Sequence, residues 1–260
     1  FYLKTGEKLP LLKKLKVENG KLKVNYEIDK SKCKTFNQKI QWIKLYGVTD
    51  IMRQCTDKVA VRDYVASQVG IEYLKSVLQI CNTFDEIEFN KLPNSFVIKC
   101  NHGSKWHFII KNKQEYLSQE KLFEVTKRYI TGWLEQEYYI CNGFELQYRG
   151  IKPQIIIEKL LRDNINYNPK EIQIYCFNGI PEYIVKIHNE QEYSFWNKDL
   201  NPIESIFKYR LINIKETIDD NVKTAVKLSE KLSEKFKFVR VDWLIYNKKI
   251  YFNELTFTPY

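Results

Sequence analysis

The chain has 260 residues, 44% of them apolar and 28% charged, with a formal net charge of +10. This excludes a disordered chain and fits one large or two small domains with a substantial core. There is no run of eighteen uncharged apolar residues and no basic-then-apolar leader, so neither a membrane span nor a secretory signal is expected; the missing initiator Met fits a trimmed chain. The six cysteines, Cys33, Cys55, Cys81, Cys100, Cys141 and Cys176, form no CxxC pair and no zinc-type spacing with histidine. They point to a reducing, cytoplasmic compartment and no disulfide framework, with peripheral attachment to the inner membrane face as an alternative location. Residues 1–60 hold fourteen Lys/Arg against six Asp/Glu, which leaves +2 for the rest. That basic region, with Lys13, Lys14, Lys16, Lys21 and Lys23, suits an anionic polymer, a membrane surface or nucleic acid. A general lysine-rich bias explains it equally well.

In chain order, residues 21–28 alternate like a short strand, and residues 36–46 place Phe36, Ile40 and Ile43 at helical spacing. Thr56 or Asp57 is the expected N-cap of a second helix, with Val61, Val65 and Val69 along one side and Gly70 as its stop. Lys58 then falls in the first turn, where the helix dipole opposes a cation unless an anion is bound. An ordinary exposed lysine is the alternative. Residues 77–80 resemble a strand and residues 84–93 a short acidic helix. Residues 96–100 and 108–110 are strands around the polar turn Asn101-His102-Gly103-Ser104. Lys99 therefore sits on an apolar strand beside a turn whose N–H groups and hydroxyl suit phosphate. Neither GxxxxGK[ST] nor GxGxxG occurs, so P-loop and Rossmann sites have no support.

Residues 118–139 are expected to be helical, with Leu122, Val125, Tyr129 and Trp133 on one face, and residues 143–152 to form a loop. A strand over 154–161 carries Glu158-Lys159 at its end. Strands over 171–177 and 182–187 are joined by Asn178-Gly179, a type I′ hairpin signal. A helix over 218–236 precedes a closing hairpin that turns at Asn247-Lys248-Lys249. Each hairpin strand holds one acid, Asp242 and Glu254, twelve residues apart and able to face each other. A carboxylate inside an apolar strand is costly unless paired or holding a cation, and two carboxylates plus phosphate oxygens suit Mg²⁺. A solvated acidic face is the alternative. The order of elements gives an α+β fold with mostly antiparallel sheets.

Of the three histidines, His102, His107 and His188, only His102 stands beside a turn of interest, and a histidine bonded to backbone explains it as well. No GxSxG elbow supports nucleophilic hydrolysis. Lys58, Lys99, Glu158, Lys159, Asp242 and Glu254 together provide cations for phosphates and acids for a metal.

The runs KIQWIKLYG, TDKVAVRDYV, KLPNSFVIKCNHGS, IIIEKLL, YCFNG, FVRVDW and IYFNELTFTP, in that order between Lys39 and Pro259, resemble the TupA-like (teichuronopeptide-biosynthesis) family of ATP-grasp proteins. The resemblance implies an ATP-grasp fold in which two α+β subdomains hold ATP, with residues 1–55 as a basic region packed on the core, 56–150 as the first subdomain and 151–260 as the second. It implies that Lys58 and Lys99 contact phosphates and that the loop from Asn101 through His102, Gly103 and Ser104 to His107 closes over them. Glu158, Lys159 and Leu160 look like the hinge that reads adenine. Glu171 and Gln173 match an EIQ strand similar to that of biotin carboxylases. Asp242 and Glu254 look like Mg²⁺ ligands, and Arg240, on the same face as Asp242, like a contact of the γ-phosphate or an acyl phosphate. The pattern departs at Lys105, where relatives often have a second glycine, at Gln173, often lysine, and at Thr256, often asparagine. Relatives continue past the position of Tyr260 into a Gly-containing tail, where part of the acceptor site is expected.

The implied activity is ATP- and Mg²⁺-dependent joining of a carboxylate to an amine through an acyl phosphate, on a sugar acid or amino acid of a cell-surface polysaccharide or capsule precursor. An anionic polysaccharide acceptor would suit the basic N-terminal region. An ATP-grasp kinase acting on a glycan hydroxyl is the alternative enzyme. A nucleic-acid-binding module would explain the charge but not the acids of the last hairpin, so nucleic acid is not the expected partner.

Overall fold

The computed structural model describes residues 15–18, 21–24, 29–161, 169–204, 212–213 and 217–259. Lys13, Lys14 and the 25–28 end of the first expected strand lie outside them. Strands β1 (Leu15–Glu18) and β2 (Lys21–Val24) pair antiparallel. Helix α1 (Phe36–Tyr46) has the bounds its periodicity predicts. Thr35 and Gln38 close a capping box at its start, and the C-cap Gly47 N–H bonds to Ile43. Next come α2 (Asp50–Thr56), α3 (Val61–Gln68) and the small sheet strands β3 (Val77–Cys81), β4 (Phe96–Cys100) and β5 (His107–Ile110). Helices α4 (Lys113–Ser118), α5 (Glu120–Leu134) and α6 (Tyr138–Cys141) follow, then β6 (Ile155–Lys159). The remainder is β7 (Lys170–Phe177), β8 (Ile180–Ile187), β9 (Glu192–Asn197), β10 (Ile212–Asn213), α7 (Asp220–Ser233), β11 (Phe238–Tyr246) and β12 (Lys249–Thr256).

Two sheets organise the chain. One has the order β3-β6-β4-β5 and the other β10-β9-β8-β7-β11-β12. All described pairings are antiparallel except β9 with β10. β6 completes the small sheet, although it follows residue 150 in the chain. The small sheet packs its apolar face, with Phe96, Ile98, Ile155 and Ile157, against Ile130 of α5 and a ring of aromatics. One face of the large sheet, with Ile172, Ile174, Ile184, Val239, Val241 and Trp243, packs on α7 and on α2–α3 through Met52, Tyr64 and Val65. The opposite face is covered in part by α1, where Ile40 meets Tyr175, Val185, Phe195 and Phe238. β7 turns into β8 through Asn178 and Gly179, both at positive φ, as the I′ signal requires.

Several expected boundaries move. The helix predicted to start at Thr56 or Asp57 is two helices, because Asp57 caps the end of α2 and its carboxylate accepts from Val59 N at 2.8 Å. Lys58 thus lies in the bend between α2 and α3, not in a first helical turn. Residues 84–93 form two short 3₁₀ turns, Phe84–Glu86 and Phe89–Lys91, not a helix. The 118–139 helix divides into α5 and α6. Its inward stripe is Phe123, Thr126, Ile130 and Trp133, whereas Leu122 and Tyr129 are exposed. The aromatic ring around Phe84 and Phe89 selects Phe123 over Leu122 as the inward residue. The last hairpin turns on two residues, Asn247 and Lys248, both at positive φ, so Lys249 already pairs with Tyr246.

Candidate active site

A cleft of about 800 Å³ opens between the two sheets. Lys58, Lys99, Ser104 and Glu158 line it, with Lys159 and Leu160 at the end of β6. Glu171, Arg240 and Glu254 line it from the large sheet.

The small-sheet wall is built on Glu158. The alternation of β4 and β6 points Lys99 and Glu158 to the same side, and Lys99 Nζ lies 2.6 Å from Glu158 Oε2. Lys75 Nζ is 3.3 Å from the same oxygen, and Arg62 approaches Oε1 at 3.9 Å. Burial opposes a charge on Glu158, but Lys75 and Lys99 outweigh it and pull its pKa down to about 2. One carboxylate among three cations leaves this wall with positive charge.

The turn after β4 is held from inside. Asn101 is fully buried. Its Nδ2 donates to Asp57 Oδ1 at 2.9 Å and to the Lys152 carbonyl at 3.0 Å, and its Oδ1 accepts from Gln154 N at 2.7 Å. His102 is buried too, with one ring nitrogen 3.0 Å from the Trp133 carbonyl and the other 3.1 Å from Asn101 Oδ1. Burial lowers its pKa. The two side chains turn into the fold, and the reading of His102 as a turn histidine bonded to backbone fits this geometry. Gly103 has no room for a side chain, because an added Cβ would overlap the Trp106 ring. Lys105 sits at φ 62°, the left-handed conformation that glycine adopts at no cost, and lines the cleft. Lys58 Nζ donates to the carbonyls of Gly103 and Asn101 and so rests on this turn. Burial lowers its pKa, while Glu254 pulls the other way.

The large-sheet wall is built on the closing hairpin. Asp242 and Glu254 are register partners, as their spacing predicts, just beside a bulge that leaves Asn253 unpaired. Arg240 forks onto Asp242 with Nε to Oδ1 at 2.7 Å and Nη2 to Oδ2 at 2.5 Å. Its Nη2 also reaches Glu254 Oε1 at 3.5 Å and Thr256 Oγ1 at 3.3 Å, and Thr256 donates to Glu254 at 3.0 Å. Burial raises the Asp242 pKa well above the carboxylate range, against the pull of Arg240. For Glu254 burial is the largest influence, yet Lys58 and Arg240 overcome it and hold its pKa below the usual value. Gln173 is the β7 partner of Asp242, but its Nε2 bonds to Glu171 Oε1 at 2.8 Å, so it orients Glu171.

These acids offer only hard oxygen donors. Among the described residues no three His, Cys, Asp or Glu side chains gather at one point. Asp242 and Glu254 thus offer two carboxylates, the donor type and number that Mg²⁺ takes beside phosphate and water, and Arg240 engages both of them here.

The sequence reading did not reach Lys75, Arg62, Asn253 or Gln147. Lys75 is buried and lies in a loop outside every motif, and no local pattern marks it. Gln147 lines the far end of the cleft, tethered through Nε2 to Thr258 Oγ1 at 2.9 Å, with its Oε1 buried and unpartnered.

Residues 38–260 match the family described as TupA-like ATPgrasp. The chain belongs to this family. Its fold is the ATP-grasp α+β fold. No curated protein matches this TupA-like chain. Among solved structures it is similar to a D-alanine–D-alanine ligase from Bacillus anthracis complexed with ATP, at 17% identity and TM-score 0.46, over 86% of this chain and 62% of that one. It is also similar to a phosphoribosylamine–glycine ligase from Thermotoga maritima, at 15% identity and TM-score 0.45, over 80% and 49%. A third is the D-alanine–D-alanine ligase of Helicobacter pylori, at 14% identity and TM-score 0.44, over 86% and 59%. The TupA-like chain thus spans less than two thirds of the length of these ligases. None of its described helices is long and apolar enough to cross a membrane.

Proposed function

We propose that this TupA-like ATP-grasp protein is an ATP- and Mg²⁺-dependent ligase that joins a carboxylate to an amine. One observation carries the reading: the cation-rich wall of Lys99, Lys75 and Arg62 faces Glu254 and Arg240 across the cleft, with Asp242 buried behind Arg240. A polyphosphate complements the first wall and a divalent cation the second. Lys58 and Lys99 would neutralise phosphate oxygens, with Ser104 and Lys105 at the turn beside them. Asp242 and Glu254 would hold Mg²⁺, which when bound neutralises charge on the phosphates and fixes their orientation. Glu158, Lys159 and Leu160 would border the base. Arg240 would leave Asp242 to meet the phosphoryl group being transferred, the charge that develops on an acyl phosphate, or both. The carboxylate oxygen of the substrate attacks the terminal phosphorus, ADP leaves, and the amine then displaces phosphate from the acyl carbon. This sequence needs no protein nucleophile; positioning and electrostatics suffice.

The acceptor class we favour is a sugar acid or amino acid of a cell-surface polysaccharide precursor. Support comes from the basic N-terminal sixty residues, which suit an anionic acceptor. The deciding experiment is ADP release from ATP and Mg²⁺ with pooled sugar acids and amines, beside Asp242→Asn and Glu254→Gln. Both substitutions should lower the rate by roughly 10²–10³-fold. ADP formation untouched by either would end the metal assignment. A stable phosphoester formed without amine would make the protein a kinase.

A further inference from the structure

The loop between α3 and β3 delivers Lys75 to the base of the cleft, where it is only 6% exposed. Its ammonium group makes two contacts that belong to different sheets. Nζ lies 3.3 Å from Glu158 Oε2 on β6 of the small sheet. It also donates to Asn253 Oδ1, at 2.9 Å, on β12 of the large sheet. Asn253 is the bulge residue beside Glu254, left without a register partner on β11. Arg62 of α3 fixes the loop by donating to the Lys75 carbonyl at 2.9 Å. Lys75 is thus a strut between the strand that carries Glu158 and the strand that carries Glu254.

The strut is short of charge. Lys75 and Lys99 share one carboxylate oxygen, and Arg62 stands at the other. On the β12 side the facing group, Asn253, is neutral. Three cations facing one anion, out of water, is an arrangement that expels a proton or gathers an anion. Lys75 is the cation that yields, because it is the most buried of the three and has the neutral second partner. Burial and the neighbouring Lys99 push its pKa down to about 7.

We propose that Lys75 is a nucleotide-linked positioning residue: a polyphosphate in the cleft supplies the negative charge that lets Lys75 stay protonated, and the protonated strut fixes Glu158 and Asn253 relative to each other. This rests on the nucleotide-binding reading above. The chemistry balances as one proton taken from solvent by the Lys75 amine when the anion binds. Nucleotide binding thereby stiffens the link between the two sheets. A neutral amine loses the charge that strengthens both contacts.

The test is isothermal titration with ADP, without metal, at pH 8.0 in two buffers of different ionisation enthalpy. At that pH the ADP phosphates are ionised, and burial keeps His102 and His107 neutral. Lys58, whose pKa burial also lowers, contributes alike to every variant. The wild-type protein should take up between about 0.5 and 1 proton per ADP, and its affinity should fall between pH 7 and 9 by up to about tenfold per pH unit. Lys75→Arg, charged throughout, should keep the affinity and show less uptake and a shallower pH slope than the wild type, only the share common to all variants remaining. Lys75→Met should show the same reduction and bind ADP more weakly at pH 7. Uptake and slope equal to those of the wild type in both variants overturn the proposal. So does Lys75→Arg binding as weakly as Lys75→Met with the slope intact, since that is a purely structural role. Absence of ADP binding by the wild-type protein at pH 6.5 would instead overturn the nucleotide reading itself.

Discussion

On the small sheet one carboxylate, Glu158, faces three cations; on the large sheet two carboxylates, Asp242 and Glu254, share one guanidinium. Both walls bury charge inside apolar strands, a costly arrangement when charges are left over. The first is left with cations to spare, whereas on the second burial opposes the charge of Asp242 and Glu254 keeps its own through Lys58 and Arg240. Lys75 joins the two by its bond to Asn253, and at longer range Lys58 and His107 feel Glu254. An ion pair serving only stability would be balanced locally, as Lys186 and Asp219 are at 2.7 Å on the far side of the large sheet. The unequal walls are what a ligand carrying both a polyanion and a cation would require.

That contrast can be broken most forcefully at Glu158. Glu158→Gln leaves Arg62, Lys75 and Lys99 with no carboxylate, and the loss of one member of a buried ionic cluster costs about 3–5 kcal/mol. The folded-state pKa of about 2 lies below that of an unfolded glutamate, so the stabilisation from Glu158 is complete above the unfolded value and lost as pH falls toward 2. Chemical denaturation between pH 5 and 2.5 should show the wild-type protein losing this increment on top of the acid loss that it shares with Glu158→Gln through groups such as Glu254. Equal acid sensitivity in both would show that Glu158 does not carry the small-sheet wall.

A smaller effect is expected at the turn between the walls. Gly103→Ala forces the Trp106 ring off its stack with Trp133, where the rings are 5.8 Å apart at 5°. Overpacking of this kind costs about 1–3 kcal/mol. Thermal denaturation should register it, and ATP affinity should fall with it because Lys58 rests on the Gly103 carbonyl. Unchanged melting would mean that the turn is not braced by the indole. Smallest of all is the exposed Arg53–Asp50 pair on α2. Arg53→Ala should change stability by less than about 0.5 kcal/mol, since exposed pairs are screened. A larger loss would remove the distinction between surface pairs and the two charged walls.

Much of this was legible in the sequence wherever periodicity or turn chemistry is local. The bounds of α1, the Asn178-Gly179 turn and the facing of Asp242 and Glu254 follow from short-range pattern. Lys99 and Glu158 were recognisable as charges on apolar strands. Their contact was not, because it depends on β6 inserting between β3 and β4, a pairing across some sixty positions. Lys75 escaped for the same reason: its partners Glu158 and Asn253 lie 83 and 178 residues away. The inward stripe of α5 was misplaced by one residue, because Leu122 and Phe123 both satisfy a helical period and only the surrounding aromatics choose between them. Asn101 and His102 were placed in the correct turn, but their inward orientation depends on Asp57, Trp133 and Gln154, which no local signal connects to them.

The perch of Lys58 on two main-chain carbonyls has a consequence for selectivity. Those oxygens are neutral dipoles that already occupy the ammonium group, so any anion entering the cleft competes with contacts in place. A singly charged ion such as chloride gains little by the exchange, whereas a polyphosphate offers several charged oxygens at once and reaches Lys99 as well. On the nucleotide reading proposed above, the turn would act as a threshold that yields the lysine to a multivalent guest and keeps it from small anions.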